Sequence, residues 1–243
     1  MVKVVCIVQA RMGSTRLPGK SLMDLGGMTL LECVFAGATT AKSISDLIFA
    51  IPDSRNDDQL FDFLSDRGMQ VFRGAEDDLI SRHLSAASKV NADFIVRIPG
   101  DNPVPHGSEI DRIVNFHLRS NSDGFSTNLS EIYESGYPNG IGAEIFSFQS
   151  LEEVDELNPT KTQREHLHLN FFDYTGQSEV NSLQFPVGTV SCPEQFARPD
   201  IILDINTKRD FEYFRRLFSD LGTLTPHIED IILWHDEVGY LLK

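Results

Sequence analysis

The sequence predicts an α/β fold, with a mostly parallel central sheet flanked by helices. Through the first hundred residues, short β-branched runs alternate with segments of helical periodicity, the pattern of strands joined by crossover helices. Two of those runs, KVVCIV and DLIFAI, are apolar at successive positions, as strands buried on both faces are. The series then stops sharply at PGDNP, where a proline–glycine–aspartate cluster ends the last run.

Each element follows from local pattern. Residues 3–8 read as a strand ending near Val8. In 29–41, Leu30, Leu31, Val34, Phe35 and Ala38 recur at helical spacing. Residues 46–51 form a second strand, 57–68 a short helix stopped by Gly68, and 69–72 a third strand. A helix over 77–90 carries Ile80, Leu84 and Ala87 on one side, and 93–98 closes the series as a fourth strand. The second half is less regular. Residues 143–148 read as a strand, and 150–157 as a helix whose Ser150 and Glu153 fit a capping box. A helix is expected over 162–174, and strands over 182–190 and 200–206. Terminal helices follow Thr207 and Thr225 as N-caps, with Pro226 at a first helical position. No stretch resembles a linker, so one domain over 1–243 is expected, with an excursion near 120–138.

Composition narrows the function. The net charge is −15, which argues against general nucleic-acid binding, where a basic stripe is the expected footprint. No apolar run approaches the ~20 residues needed to cross a bilayer, and MVKVVCIV does not read as a signal peptide. Cys6, Cys33 and Cys192 are few, odd in number and far apart, which fits reduced thiols of a cytoplasmic protein. An anionic small-molecule substrate would therefore need local cations.

Those cations sit in QARMGSTRLPGK. Arg11, Arg16 and Lys20 lie among Gly13, Pro18 and Gly19, between a strand and a helix. Glycines allow close backbone approach, Arg offers a planar fork for phosphate oxygens, and Lys a mobile point charge. The spacing misses the P-loop pattern by one residue, and Pro18 removes a donor where that loop needs its amides. The parallel-sheet topology carries the loops 9–20, 73–78 and 100–103 to one edge, beyond the carboxyl ends of the strands. Asp101 there can hold Mg²⁺, which keeps water and substrate phosphates as its other ligands; alternatively it only begins a turn before Pro103.

IVQARMGSTRLPGKSL, RGAEDDLISR, ADFIVRIPGDNP, YPNGIGAEIFSF, REHL and DINTKRDFEYFRRLF together resemble the cytidylyltransferases that activate sugar acids. The nearest branch is that of SpsF-like proteins of spore-coat and surface-polysaccharide synthesis. They are related to the CMP-ketodeoxyoctonate and CMP-sialic acid synthetases. The resemblance implies a Rossmann-like nucleotide-sugar transferase fold of the GT-A-like kind. Residues 1–105 would bind nucleotide and 106–243 the acceptor. It implies Mg²⁺-dependent transfer of CMP from CTP to a sugar-acid hydroxyl, with release of pyrophosphate. Arg11, Arg16 and Lys20 would grip the triphosphate, Gly13 and Ser14 give close contacts, and Ala10 shape the base pocket. Arg73, Asp78 and Arg82 would lie near the nucleotide. Asp101 would carry the metal, and Tyr137, Glu144, Arg164, Glu165 and His166 would meet the acceptor. Such proteins are often dimeric, so a homodimer is expected.

One departure stands out. Related synthetases commonly place a second metal carboxylate in an Asp-x-Asp-Thr-like segment, whereas this chain reads LDINTKRD. Asp204 is kept but Asn206 takes the next position, sharing its face in an extended strand. Either Asp204 serves, or Asn206 ligates weakly through its amide oxygen, or the protein binds nucleotide without catalysis. These two residues could also simply cap the next helix. A glycosyltransferase using a nucleotide-sugar donor is a further reading, for which GDNP is a poor match.

Overall fold

The structure is a computed structural model that describes residues 2–120 and 123–242. The first half follows the alternation of its sequence: β1 (Val4–Gln9), α1 (Leu30–Ala38), β2 (Asp46–Pro52), α2 (Asp58–Asp66), β3 (Gln70–Gly74), α3 (Leu79–Lys89) and β4 (Phe94–Pro99). Then come α4 (Gly107–Ser120), β5 (Phe125–Thr127), β6 (Glu144–Ser147), α5 (Phe148–Glu156) and α6 (Lys161–Glu165). The chain continues through β7 (Phe172–Asp173), β8 (Ser178–Glu179), β9 (Val187–Gly188), α7 (Lys208–Leu221) and α8 (Ile228–Glu237).

Seven strands form one sheet in the order β3-β2-β1-β4-β6-β5-β9, while β7 and β8 make a separate ribbon. β1 pairs in parallel with β2 on one side and with β4 on the other, so the first four strands all end at the same edge. β6 runs antiparallel between β4 and β5. The successive apolar residues of β1 serve two cores. Val4, Cys6 and Val8 pack with Leu30, Val34, Leu60, Ile113 and Phe214, from helices on one face. Val5 and Ile7 pack with Ile80, Ala86, Leu151 and Val154 on the other. Each fully buried branched side chain contributes roughly 1.5–3 kcal/mol relative to exposure, which is why this strand tolerates no polar alternation.

Several boundaries differ from the sequence expectation. α4 was not foreseen, although Ile110, Ile113, Val114 and His117 recur at helical spacing and are buried. α5 is capped by Ser147, not Ser150: Ser147 Oγ accepts the Ser150 N–H at 2.8 Å, and Ser150 lies inside the helix. Residues 162–174 are not one helix. α6 ends at Glu165, His166 turns the backbone to φ −119° and ψ 80°, and a 3-10 turn leads into the β7–β8 ribbon. The reason is packing: Phe171 stacks on Phe125 and Phe146, while the adjacent Phe172 is also fully buried. Residues 182–190 yield only the two-residue β9. Residues 200–206 make a single bridge, Ile202 with Asn139, instead of a ladder. α8 starts at Ile228 with His227 at its N-cap, so Thr225 and Pro226 lie ahead of it. Of the stretch 120–138, residues 121 and 122 lie outside the described residues. Its β5 belongs to the main sheet, and Ile132 and Tyr137 are buried.

Candidate active site

The loop after β1 is held at both ends. The Met12 N–H donates to the buried Asp57 carboxylate at 2.7 Å, and Ser21 Oγ donates to the Arg11 carbonyl at 3.0 Å. Ser14 N–H and Gly19 N–H both donate to the Met12 carbonyl, at 2.9 and 3.0 Å. Gly19 accepts the left-handed turn this requires, at φ 72°. The Leu17 and Lys20 amides are likewise bonded within the loop, to Ser14 Oγ and the Leu17 carbonyl, both at 3.3 Å, so four loop amides are spent internally and anion recognition falls chiefly to side chains. Opposite, Gly100 lets β4 end against β1: a Cβ there would stand 2.5 Å from the Gln9 carbonyl oxygen.

These loops enclose a cleft of about 320 Å³ at the carboxyl edge of β1 and β4, with Ala10, Arg11, Ser14, Arg16 and Lys20 on one wall. Arg82, Arg97, Asp101, Glu165, His166 and Asn206 also line it. Lys20 Nζ donates to Asp101 Oδ2 at 2.8 Å and to the Ile205 carbonyl at 2.6 Å. Arg16 Nη2 donates to Asn206 Oδ1 at 2.7 Å, and the Asn206 amide nitrogen donates to Asp204 Oδ2 at 2.7 Å. Arg11 lies 3.7 Å from the Glu165 carboxylate. Cations from the opening loop and oxygens from two distant segments therefore meet in one place. Gly13 is exposed at the loop's outer side, and a Cβ there would touch nothing.

Beneath them is a buried polar layer. Arg97 Nη1 pairs with the fully buried Glu144, and its Nε donates to Gln9 Oε1 at 2.8 Å. Tyr174 donates to the other Glu144 oxygen at 3.0 Å. Burial pushes the Tyr174 phenol well up, with the Glu144 charge adding to it. Arg82 hands Nη1 to the carbonyls of Ala75 and Glu76, at 2.6 and 3.1 Å, and its Nε is buried without a partner. Burial, then the charge of Arg11, push Arg82 down to about 10. It nonetheless remains a cation at neutral pH.

Other residues singled out from the sequence face elsewhere. Arg73 ties Asp53, Asp58 and the Ser54 carbonyl together, away from the cleft. Asp78 caps α3 by accepting the Ser81 N–H at 2.9 Å and pairs with Arg164 at 2.7 Å. Arg164 spends its other arm on Asp155 at 2.6 Å, stapling α6 to α3 and α5. Tyr137 is buried and donates to Glu109 at 2.6 Å. Arg97 was overlooked, yet its signal was present: an arginine inside the apolar strand DFIVRI must be paired or functional.

A cation fits the oxygens at this edge. Asp101, Asn206 and the Ile205 carbonyl are hard donors, and Mg²⁺ commonly takes one or two carboxylates and completes its shell with phosphates and water. Among the described residues no group of three His, Cys, Asp or Glu is placed to hold a metal.

Comparison with known proteins shows the family and the fold. A family model described as Cytidylyltransferase matches residues 5–232. The spore coat polysaccharide biosynthesis protein SpsF of Bacillus subtilis is 31% identical over 91% of this chain and 89% of its own length. The 8-amino-3,8-dideoxy-manno-octulosonate cytidylyltransferase of Shewanella piezotolerans is 28% identical over 76% of this chain and 64% of its own. A cytidylyltransferase structure from Leptospira borgpetersenii superposes with a TM-score of 0.85, at 27% identity, over 100% of this chain and 97% of that one.

Proposed function

The chain belongs to the cytidylyltransferase family, and from that premise we propose that it transfers CMP from CTP to a sugar-acid hydroxyl, releasing pyrophosphate, in surface polysaccharide synthesis. The likeness to SpsF supports the pathway class, and the likeness to an octulosonate cytidylyltransferase supports a sugar acid as acceptor. The single observation that carries the reading is the convergence of Arg16 and Lys20 with Asp101 and Asn206 at the end of β4.

In the reaction, the acceptor hydroxyl oxygen attacks the α-phosphorus of CTP and gives up its proton to solvent, the bond to the β-phosphate breaks, and pyrophosphate leaves with the electron pair. Such transfer depends on positioning and on meeting charge as it develops. Arg11, Arg16 and Lys20 line the cleft where the triphosphate would lie, and a guanidinium there meets phosphate oxygens two at a time. Asp101 and Asn206 would hold Mg²⁺, whose chemistry is to neutralise phosphate charge. Glu165 and His166 stand in the cleft for the acceptor. Arg97 lines the cleft but is already paired with Glu144, as Arg164 is with Asp78 and Asp155, so Arg11, at 3.7 Å from Glu165, is the more loosely held guanidinium beside them.

The test is thermal stabilisation by CTP, UTP, GTP and ATP, with and without Mg²⁺, followed by pyrophosphate release with sugar acids such as 3-deoxy-manno-octulosonate. A ligand that binds only the folded state raises its stability. A shift selective for CTP is expected. No shift with any nucleotide would overturn the proposal, and CTP binding without pyrophosphate release from any acid would leave a binding protein in its place.

A further inference from the structure

The Lys20 side chain reaches back from the loop into a nest of three oxygens. Asp101 Oδ2 accepts from its ammonium at 2.8 Å, the Ile205 carbonyl at 2.6 Å and Asn206 Oδ1 at 3.5 Å. An ammonium has three protons, so these acceptors match its whole donating capacity. The Lys20 side chain is only 12% exposed. The nest does not owe its shape to Lys20 alone. The Ile205 N–H donates to the Asp101 carbonyl at 2.8 Å, and the Asn206 N–H donates to Asp210 at 3.0 Å, fixing the two segments to each other and to α7.

One carboxylate, one peptide carbonyl and one amide oxygen form a hard donor set, the kind a divalent ion such as Mg²⁺ or Mn²⁺ takes. A monovalent ammonium and a divalent ion cannot share it: two cations within a few ångströms of one carboxylate, partly out of water, repel strongly. We propose that Lys20 is the resident cation of the metal site. Its ammonium fills the nest in the nucleotide-free protein and keeps the divalent ion out. The triphosphate draws it away, so the metal enters only with the nucleotide. This rests on the reading that CTP and a divalent ion work together in the cleft.

The same geometry accounts for Asn206. Its amide oxygen accepts from both Arg16 and Lys20 while carrying no charge of its own. A second carboxylate there would add a charge–charge attraction to both cations and oppose their transfer to phosphate. The neutral amide positions the two side chains and lets the triphosphate take them.

Mn²⁺ alone, without nucleotide, is the probe, followed by the electron paramagnetic resonance signal of the free ion. Wild type should bind it weakly. K20M should gain one site about tenfold or more tighter, a typical size for coupling between two ligands. K20M/D101N should lose that site. K161M removes the same charge at an exposed lysine and should behave as wild type. K20Q, which keeps a donor but no charge, serves if K20M does not fold. Equal Mn²⁺ binding by wild type and the Lys20 variants overturns the proposal, as does a gain that persists in K20M/D101N or appears in K161M. CTP-induced stabilisation of the wild type is measured alongside. Its absence would sink the cytidylyltransferase reading of the cleft, while the Mn²⁺ result would still judge the nest.

Discussion

Glu144→Gln should unsettle this protein more than its conservative chemistry suggests. Glu144 is fully buried, and it is the counter-ion of Arg97, itself 5% exposed. Removing one partner of a buried ion pair leaves an uncompensated charge, which typically costs about 3–5 kcal/mol. Gln keeps one carbonyl oxygen, so it can still accept either from Tyr174 or from Arg97, and the lower end of that range is expected. For a chain of this size about 3 kcal/mol corresponds to roughly 6–12 °C in Tm. Urea unfolding at neutral pH measures the loss directly. The double variant R97M/E144L provides the internal check, because replacing both charges by apolar groups of similar volume is often near neutral. It should be more stable than E144Q alone. If E144Q costs under about 1 kcal/mol, or if the double variant is the worse of the two, the pair is not the closed, dry interaction described here.

Two further outcomes follow. Arg16→Ala should lower kcat/KM for CTP by about a hundredfold, the usual effect of removing one preorganised group from a transition-state site. Its fold should be untouched, since Arg16 is exposed, and unchanged urea unfolding beside unchanged turnover would remove it from the site. Stability should also fall on mild acidification. Burial pushes His117 and His168 down to about 4 and His83 to about 3, from an ordinary value of 6.5. Between pH 6.5 and about 4 the unfolded chain therefore binds more protons than the folded one, so stability rises with pH across that window. Each group contributes about 1.4 kcal/mol per pH unit where fully engaged. A urea midpoint constant from pH 7 to pH 5 would refute the neutral burial of these rings.

Much of the fold was legible because it rests on local physics. The two-sided burial of KVVCIV and DLIFAI, the stop at Gly68 and the cap at Thr207 are all written within a few residues. Crossover handedness then carries the loops after β1 and β4 to one edge, so Arg11, Arg16, Lys20 and Asp101 could be nominated together. What failed locally failed for tertiary reasons. Residues 162–174 have good helical spacing, but burying the adjacent Phe171 and Phe172 breaks the helix at His166. Residues 200–206 look like a strand, yet they are held by a single bridge and by hydrogen bonds to Asn139 and Asp101.

Which residue types can meet an anion, and on which edge of the sheet, is already written in the chain, because strand pattern and periodicity are properties of local sequence. Which cations stay available is set by folding. Arg73 and Arg164 carry the same charge as Arg16, but each is consumed by carboxylates brought to it by neighbouring helices and loops. Arg97, unremarked in an apolar strand, reaches the cleft because Gln9 and Glu144 hold it there. The oxygens of Asp101 and Asn206 meet on Lys20 across more than a hundred residues of chain. Charge is local to a residue, whereas its availability depends on every partner that folding places within a hydrogen bond of it.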